Sequence, residues 1–253
     1  MGDIARCSLG KASDYYNEEL LYKLFGINAE LLIDHAWGVE PCTVKDVKGY
    51  KPTENSVSSG QVLQEPYPFE KARLIVKEMA DFLSMDLFAK GLVTDKITLM
   101  VGYDVENLTD GGVNYKGEIK TDRYGRKVPK ESTGSQNLGG FTSSTKKLVE
   151  EFDKLFARIA DKNLFVRRLN LCAAKVVDEG RAKKAAETEQ LTFFDDKEKD
   201  EKENELNEKE RKRQKAVLEI RKKYGSNAVL KGMNFSDGAT GKQRNKQIGG
   251  HKA

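Results

Sequence analysis

Few of the chain's 40 acidic side chains stand where a reaction could use them. Phosphoryl transfer by two metal ions needs clustered carboxylates on a scaffold. Asp195 and Asp196 are adjacent but sit in a long charged run. Asp104 and Glu106 end an expected strand with no third acid placed to join them. The two histidines, His35 and His251, have no matching nucleophile or base, and His35 reads as a helix-face residue near Trp37. Cys7, Cys42 and Cys172 are scattered, without a Cys-x-x-Cys pair, so no zinc site is readable. The expectation is no catalytic residue and no metal ligand. What remains is binding chemistry, of phosphates by hydroxyl, amide and guanidinium groups and of a partner by stranded apolar side chains.

The stranded side chains are Leu191, Phe193 and Phe194, with Gln190 beside them. Residues 187–210 hold 11 acids and 4 bases, and a segment so polar cannot bury enough apolar surface to offset the entropy of ordering. Burial in a partner and folding back on the preceding domain are both open on local sequence alone. Residues 211–253 reverse the charge, with 12 bases and 2 acids, which leaves the first 186 residues at +1 of the total +4. Overall the chain is 38% hydrophobic and 33% charged, against about 45–50% and 25% in ordinary domains. No run approaches the ~18 apolar residues of a membrane span. No apolar segment of a signal peptide follows the start, and Arg6 stands where a myristoylation signal needs Ser or Thr. Scattered cysteines fit a reducing, cytoplasmic compartment.

Residues 14–37 read as two short helices, stopped at Gly26 and Gly38, followed by a polar linker over 45–55. Then come a strand over 56–63, a helix over 69–88 with Ala72, Ile75, Val76, Met79, Phe82 and Leu83 on one face, and a strand over 96–105. Residues 106–137 read as a long insertion. A short polar strand over 140–144, a helix over 145–160 and a strand over 164–177 complete the series. The order β-α-β-β-α-β predicts an α+β, ferredoxin-like domain with both helices on one side of a four-stranded sheet. The other side would carry Ser58, Thr98, Thr142, Ser143, Arg168 and Asn170, small polar groups suited to phosphates. Residues 197–224 are helical in charge pattern, and the basic tail from Gly232 reads as loose.

The segments MGDIARCSLG, LLYKLFGINAELLIDHAWGVEPCT, NSVSSGQVL, QLTFF, KKYGSNAVLKGMN and RNKQIGGHKA, with the β-α-β-β-α-β block between them, together resemble the C-terminal portion of a Y-family translesion DNA polymerase. The resemblance is to the UmuC/DinB-like ultraviolet-damage repair proteins of Gram-positive bacteria. It implies a thumb remnant with part of a helix-hairpin-helix over 1–43, a tether over 44–48 and a little-finger DNA-binding domain over 49–178. A clamp-docking linker and basic tail would fill 179–253. The DNA contacts implied are Ser56, Ser58, Ser59 and Gly60 on the first strand, Thr142 and Ser143 on the third, and Arg167, Arg168 and Asn170 on the last. Gln190, Leu191, Phe193 and Phe194 resemble the motif with which bacterial polymerases dock on the sliding clamp, Phe193 standing where Leu is more usual.

The resemblance also implies an absence. The palm carboxylates that hold Mg²⁺ in the parent family have no counterpart here, so the chain should bind duplex primer-template DNA and the clamp in damage bypass without synthesising DNA. It would bind no cofactor itself. Alternatives are a regulatory competitor for clamp or DNA, a half that complements a separate palm and fingers polypeptide, and a ferredoxin-like RNA-binding module. The last lacks an aromatic pair on the central strands.

Overall fold

The computed structural model describes all residues except 41, 51–54, 110–114, 123–124, 183–196, 249–250 and 253. The chain divides into two units, Met1–Thr53 and Glu54–Ala253.

The first unit is four short helices, α1 (Gly2–Ser8), α2 (Glu18–Phe25), α3 (Asn28–Ala36) and α4 (Val44–Gly49). Asn17 starts α2 by accepting the Leu20 N–H at 3.0 Å. The expected tether forms α4 instead of an open linker, because Thr43 and Asp46 make a reciprocal capping box. Among the described residues the buried core is Cys7, Leu21 and Ala29, with Ile4 and Ile33 against it. Leu24, Ile27, Leu31 and Val44 are exposed. His35 pairs with Glu40 at 2.7 Å, while Trp37 donates its indole N–H to Ser8 Oγ at 3.1 Å.

The second unit runs β1 (Val57–Tyr67), α5 (Phe69–Ala89), β2 (Leu92–Tyr103), the hairpin β3 (Ile119–Thr121) and β4 (Lys127–Pro129), β5 (Ser132–Thr142), α6 (Thr145–Ile159), β6 (Val166–Ala174) and β7 (Val177–Asp178). The main sheet has the order β1-β6-β2-β5, antiparallel throughout. Each β-α-β unit is therefore split by a strand of the other, as the sequence order predicts. Both helices cover one face. Phe152, Phe156, Ile75 and Met79 meet Ile97, Leu99, Leu169 and Leu171 in one core, all nearly inaccessible.

The third large strand departs from expectation. It occupies Ser132–Thr142 and takes in the last six residues of the supposed insertion. Its covered side carries Gly134 and Gln136 before its one buried aliphatic, Leu138. A Cβ at Gly134 would stand 2.7 Å from Ile159 Cγ2 and 3.1 Å from Leu155 Cδ1, so α6 lies too close for a larger residue, and the strand has no apolar alternation to read.

Beyond β7, α7 (Lys197–Tyr224) and the short α8 (Gly241–Arg244) belong to the same unit. Glu210 of α7 accepts from Ser144 Oγ at 2.6 Å and from the Lys146 N–H at 2.9 Å, capping α6. Arg211 makes a two-pronged ion pair with Glu179. The tail expected to be loose packs against α5, because Glu78, 1% exposed, collects its donors. Asn234 Nδ2 approaches at 2.6 Å, Thr240 N at 2.8 Å and Gly241 N at 3.0 Å.

Candidate nucleic-acid interface

Strand alternation leaves one sheet face without helices, and register fixes its rows. Ser58 pairs with Cys172, Cys172 with Thr98, and Thr98 with Ser135. Gly60, Asn170, Met100 and Thr133 form the next row, and Val62, Arg168 and Gly102 the one beyond. On the other flank Ala174, Lys96 and Asn137 line up. Their neighbours in sequence, among them Leu63, Leu169, Leu171, Ile97 and Leu99, point into the core. Apart from Val62 and Met100, the open face is thus made of small or polar side chains with no acid among them.

Two cations stand on it. Arg168 is exposed, and neither it nor Lys96 has a carboxylate at ion-pair distance among the described residues. Gly102 beside Arg168 keeps the strand low, since a Cβ there would lie 3.2 Å from Arg168 Cβ. A polyanion pressed on this surface would meet hydroxyls, an amide and free positive charge, with no like charge to repel it. The hydroxyls that recur across the face have no fixed two-pronged match to a base edge, so contacts through them favour the sugar-phosphate backbone over sequence readout.

Of the residues singled out from sequence, Ser58, Gly60, Arg168 and Asn170 share this face, and Ser56 lies exposed just before β1. Four others do not. Ser59 alternates with Ser58 and falls on the helix-covered side with Val57, which packs on the core. Thr142 and Ser143 turn the chain into α6. Thr142 Oγ1 accepts the Ser144 N–H at 3.0 Å, and Ser143 is buried with its carbonyl held by Gln214 Nε2 at 3.0 Å. Their assignment to the face followed from placing the third strand at 140–144. Arg167 sits where the β2–β6 register shifts. Its guanidinium bonds the Gln64 carbonyl at 3.0 Å and pairs with Asp104 at 3.5 Å, so it holds two strand ends together.

Sequence reading missed Thr133, Ser135, Asn137, Lys96 and Met100. The alternation of β2 signalled Lys96 and Met100, because Ile97, Leu99 and Val101 fix the opposite parity. Gln190, Leu191, Phe193 and Phe194, like Asp195 and Asp196, lie outside the described residues.

No donor set for divalent ions is present among the described residues, which hold no group of three or more His, Cys, Asp or Glu that fits a metal. Asp104 is 7% exposed and spent on the Glu106 N–H at 2.9 Å and on Arg167. Likewise no helix among them is long and apolar enough to cross a membrane.

A split-βαβ sheet with one covered and one polar face is the architecture expected of a little finger, and a family comparison agrees. The family model of the impB/mucB/samB family C-terminal domain matches residues 54–191, more than half of the chain. The chain belongs to this family and carries the C-terminal portion of a UmuC/DinB-like Y-family polymerase, a family of DNA repair and translesion synthesis. A search of curated proteins returned no match.

Proposed function

We propose that this chain grips duplex primer-template DNA with its open sheet face in damage bypass and does not itself synthesise DNA. The observation that carries the proposal is the acid-free face of Ser58, Gly60, Arg168, Asn170, Thr98, Lys96 and Ser135, set in register. Binding through phosphates is sequence-tolerant and falls steeply with salt. Fluorescence anisotropy with a labelled primer-template should give affinities that drop at least tenfold between about 50 and 200 mM salt. Undetectable or salt-independent binding would refute the grip. Primer extension with Mg²⁺ and deoxynucleotides should give no product, and synthesis by the pure chain would refute the claim of inactivity.

The second part of the reading is clamp docking by Gln190, Leu191, Phe193 and Phe194. Its support is their chemistry, a glutamine and three apolar side chains in a run too polar to bury them. A peptide of residues 187–196 should bind a bacterial sliding clamp, and Leu191→Ala with Phe194→Ala should abolish it. A regulatory competitor would use the same two contacts.

One observation favours complementation by a separate palm and fingers polypeptide. Among its described residues the first unit has three buried apolar side chains, and Leu24, Ile27 and Leu31 are exposed, a surface suited to burial by another chain. An RNA-stacking role is disfavoured, since the central strands β6 and β2 present no aromatic on the open face.

A further inference from the structure

Residues 225–246 form a strap beyond the matched family domain. The strap is fastened to α5, on the helix-covered side of the sheet. Lys231 pairs with Asp81 at 2.5 Å, Asp237 with Lys71 at 2.8 Å, and three donors converge on buried Glu78. The fit is close at α8, where a Cβ on Gly241 would stand 2.8 Å from Glu78 Oε1 and 2.9 Å from Asn234 Nδ2. The strap also closes on its own start, just past the end of α7. Asn227 Nδ2 donates to the Lys242 carbonyl at 3.1 Å, and Asn245 Nδ2 to Asn227 Oδ1 at 2.7 Å.

Two large rings stand out from this body. Tyr224, the last residue of α7, is 66% exposed and Phe235 is 67% exposed. Phe235 is fixed in place by its neighbour Asn234, which is buried against Glu78. The Lys242 ammonium lies 5.8 Å from the Phe235 ring centre, and that of Lys223 lies 5.2 Å from the Tyr224 ring centre. Lys222 and Lys246 are exposed beside them in sequence. None of these four lysines has a carboxylate at ion-pair distance among the described residues, and Asp237, the strap's one acid, is paired with Lys71. A single exposed aromatic needs no explanation. Here two stand on segments bonded to each other, each with a lysine alongside.

We propose that this helix-side surface holds single-stranded DNA, with bases stacked on Phe235 and Tyr224 and phosphates met by Lys222, Lys223, Lys242 and Lys246. Rings interleaved with unpaired cations are the chemistry that holds an unpaired strand, because every base offers a face to stack and every linkage a charge. A duplex hides the faces of its bases, and an acidic peptide would use the lysines but leave the rings idle. Rings fixed in advance lose little freedom on binding. DNA is the choice between the two nucleic acids because the chain belongs to a DNA-repair family. The surface lies on the side away from the open face, so its strand is separate from any duplex held there, and the inference does not rest on that grip.

The test is anisotropy of the full chain with a labelled oligothymidylate, which forms no duplex, across a salt series. Phe235→Ala should weaken binding about fivefold or more, and Phe235→Trp should keep it. The pair Lys242→Gln/Lys246→Gln should lower the salt slope by about 0.7 for each charge removed. The open-face variant Thr98→Glu should leave oligothymidylate binding unchanged, whatever it does to duplex binding. Absence of binding, or binding that Phe235→Ala and the lysine pair leave at natural affinity and slope, would overturn the proposal. A tighter hold on oligouridylate would overturn it as well, as would a poly-glutamate peptide that binds this surface where oligothymidylate does not. If Phe235→Ala lowers the melting temperature, Tyr224→Ala and the lysine pair decide.

Discussion

Glu78 shows how one side chain sets the extent of the domain. A carboxylate in the middle of α5 would be costly to bury alone, and three donors from residues 234–241 make it tolerable. Glu78→Ala should strand those donors and cost about 3 kcal/mol, read as a lower midpoint in urea unfolding. Gly241→Ala should loosen the strap by steric means alone, seen as faster amide exchange over 231–246 with the sheet unchanged. Asp153 offers a pH test. Burial pushes its carboxyl up, but the Arg73 hydrogen bond and the charges of Lys77 and Arg73 outweigh this and hold it below its ordinary value of 3.8. A carboxyl lowered on folding contributes stability above the unfolded value and loses it as pH falls through the folded one. Acidification below about pH 4 should therefore remove that contribution, and Asp153→Asn should flatten the acid limb of a stability-versus-pH curve. Nothing in the sequence near Glu78 announced its partners, which lie more than 150 positions away.

Among the elements, α6 lies close against β5, with Gly134 at the joint. Gly134→Val should force α6 away and destabilise the unit by about 1–3 kcal/mol, measurable by thermal unfolding. The same joint explains which elements were legible. Helices α5 and α6 and strand β2 declare themselves by apolar periods such as Ile75, Met79 and Leu83, or Ile97, Leu99 and Val101, and their bounds fell within a few residues of expectation. Strand β5 did not, because Gly134 and Gln136 stand on its inward side beside a single buried aliphatic, Leu138, and no apolar alternation results. From that one strand came the misplacement of Thr142 and Ser143, while Ser59 was misread because local sequence leaves parity open until a partner strand fixes it. The part of the site carried by β1 and β6, namely Ser58, Gly60, Arg168 and Asn170, was legible. The part carried by β5 was not.

At the scale of the whole molecule, the C-terminal third is fastened to the sheet domain at two places. Glu210 and Gln214 of α7 fasten to the start of α6, and the strap fastens to α5. A chain ending at residue 182 should retain the sheet yet melt at a lower temperature, by roughly 2–4 kcal/mol for a lost helix cap and several buried hydrogen bonds. The family assignment joins this body to translesion polymerases, and the open face gives it a way to hold DNA. The most direct test of that grip is a salt titration of primer-template binding by the intact chain and by Thr98→Glu, whose charge falls at the centre of the face. The grip predicts steep salt dependence for the natural chain and a loss of about tenfold or more for the variant at equal melting temperature. Equal affinities for the two proteins would contradict it.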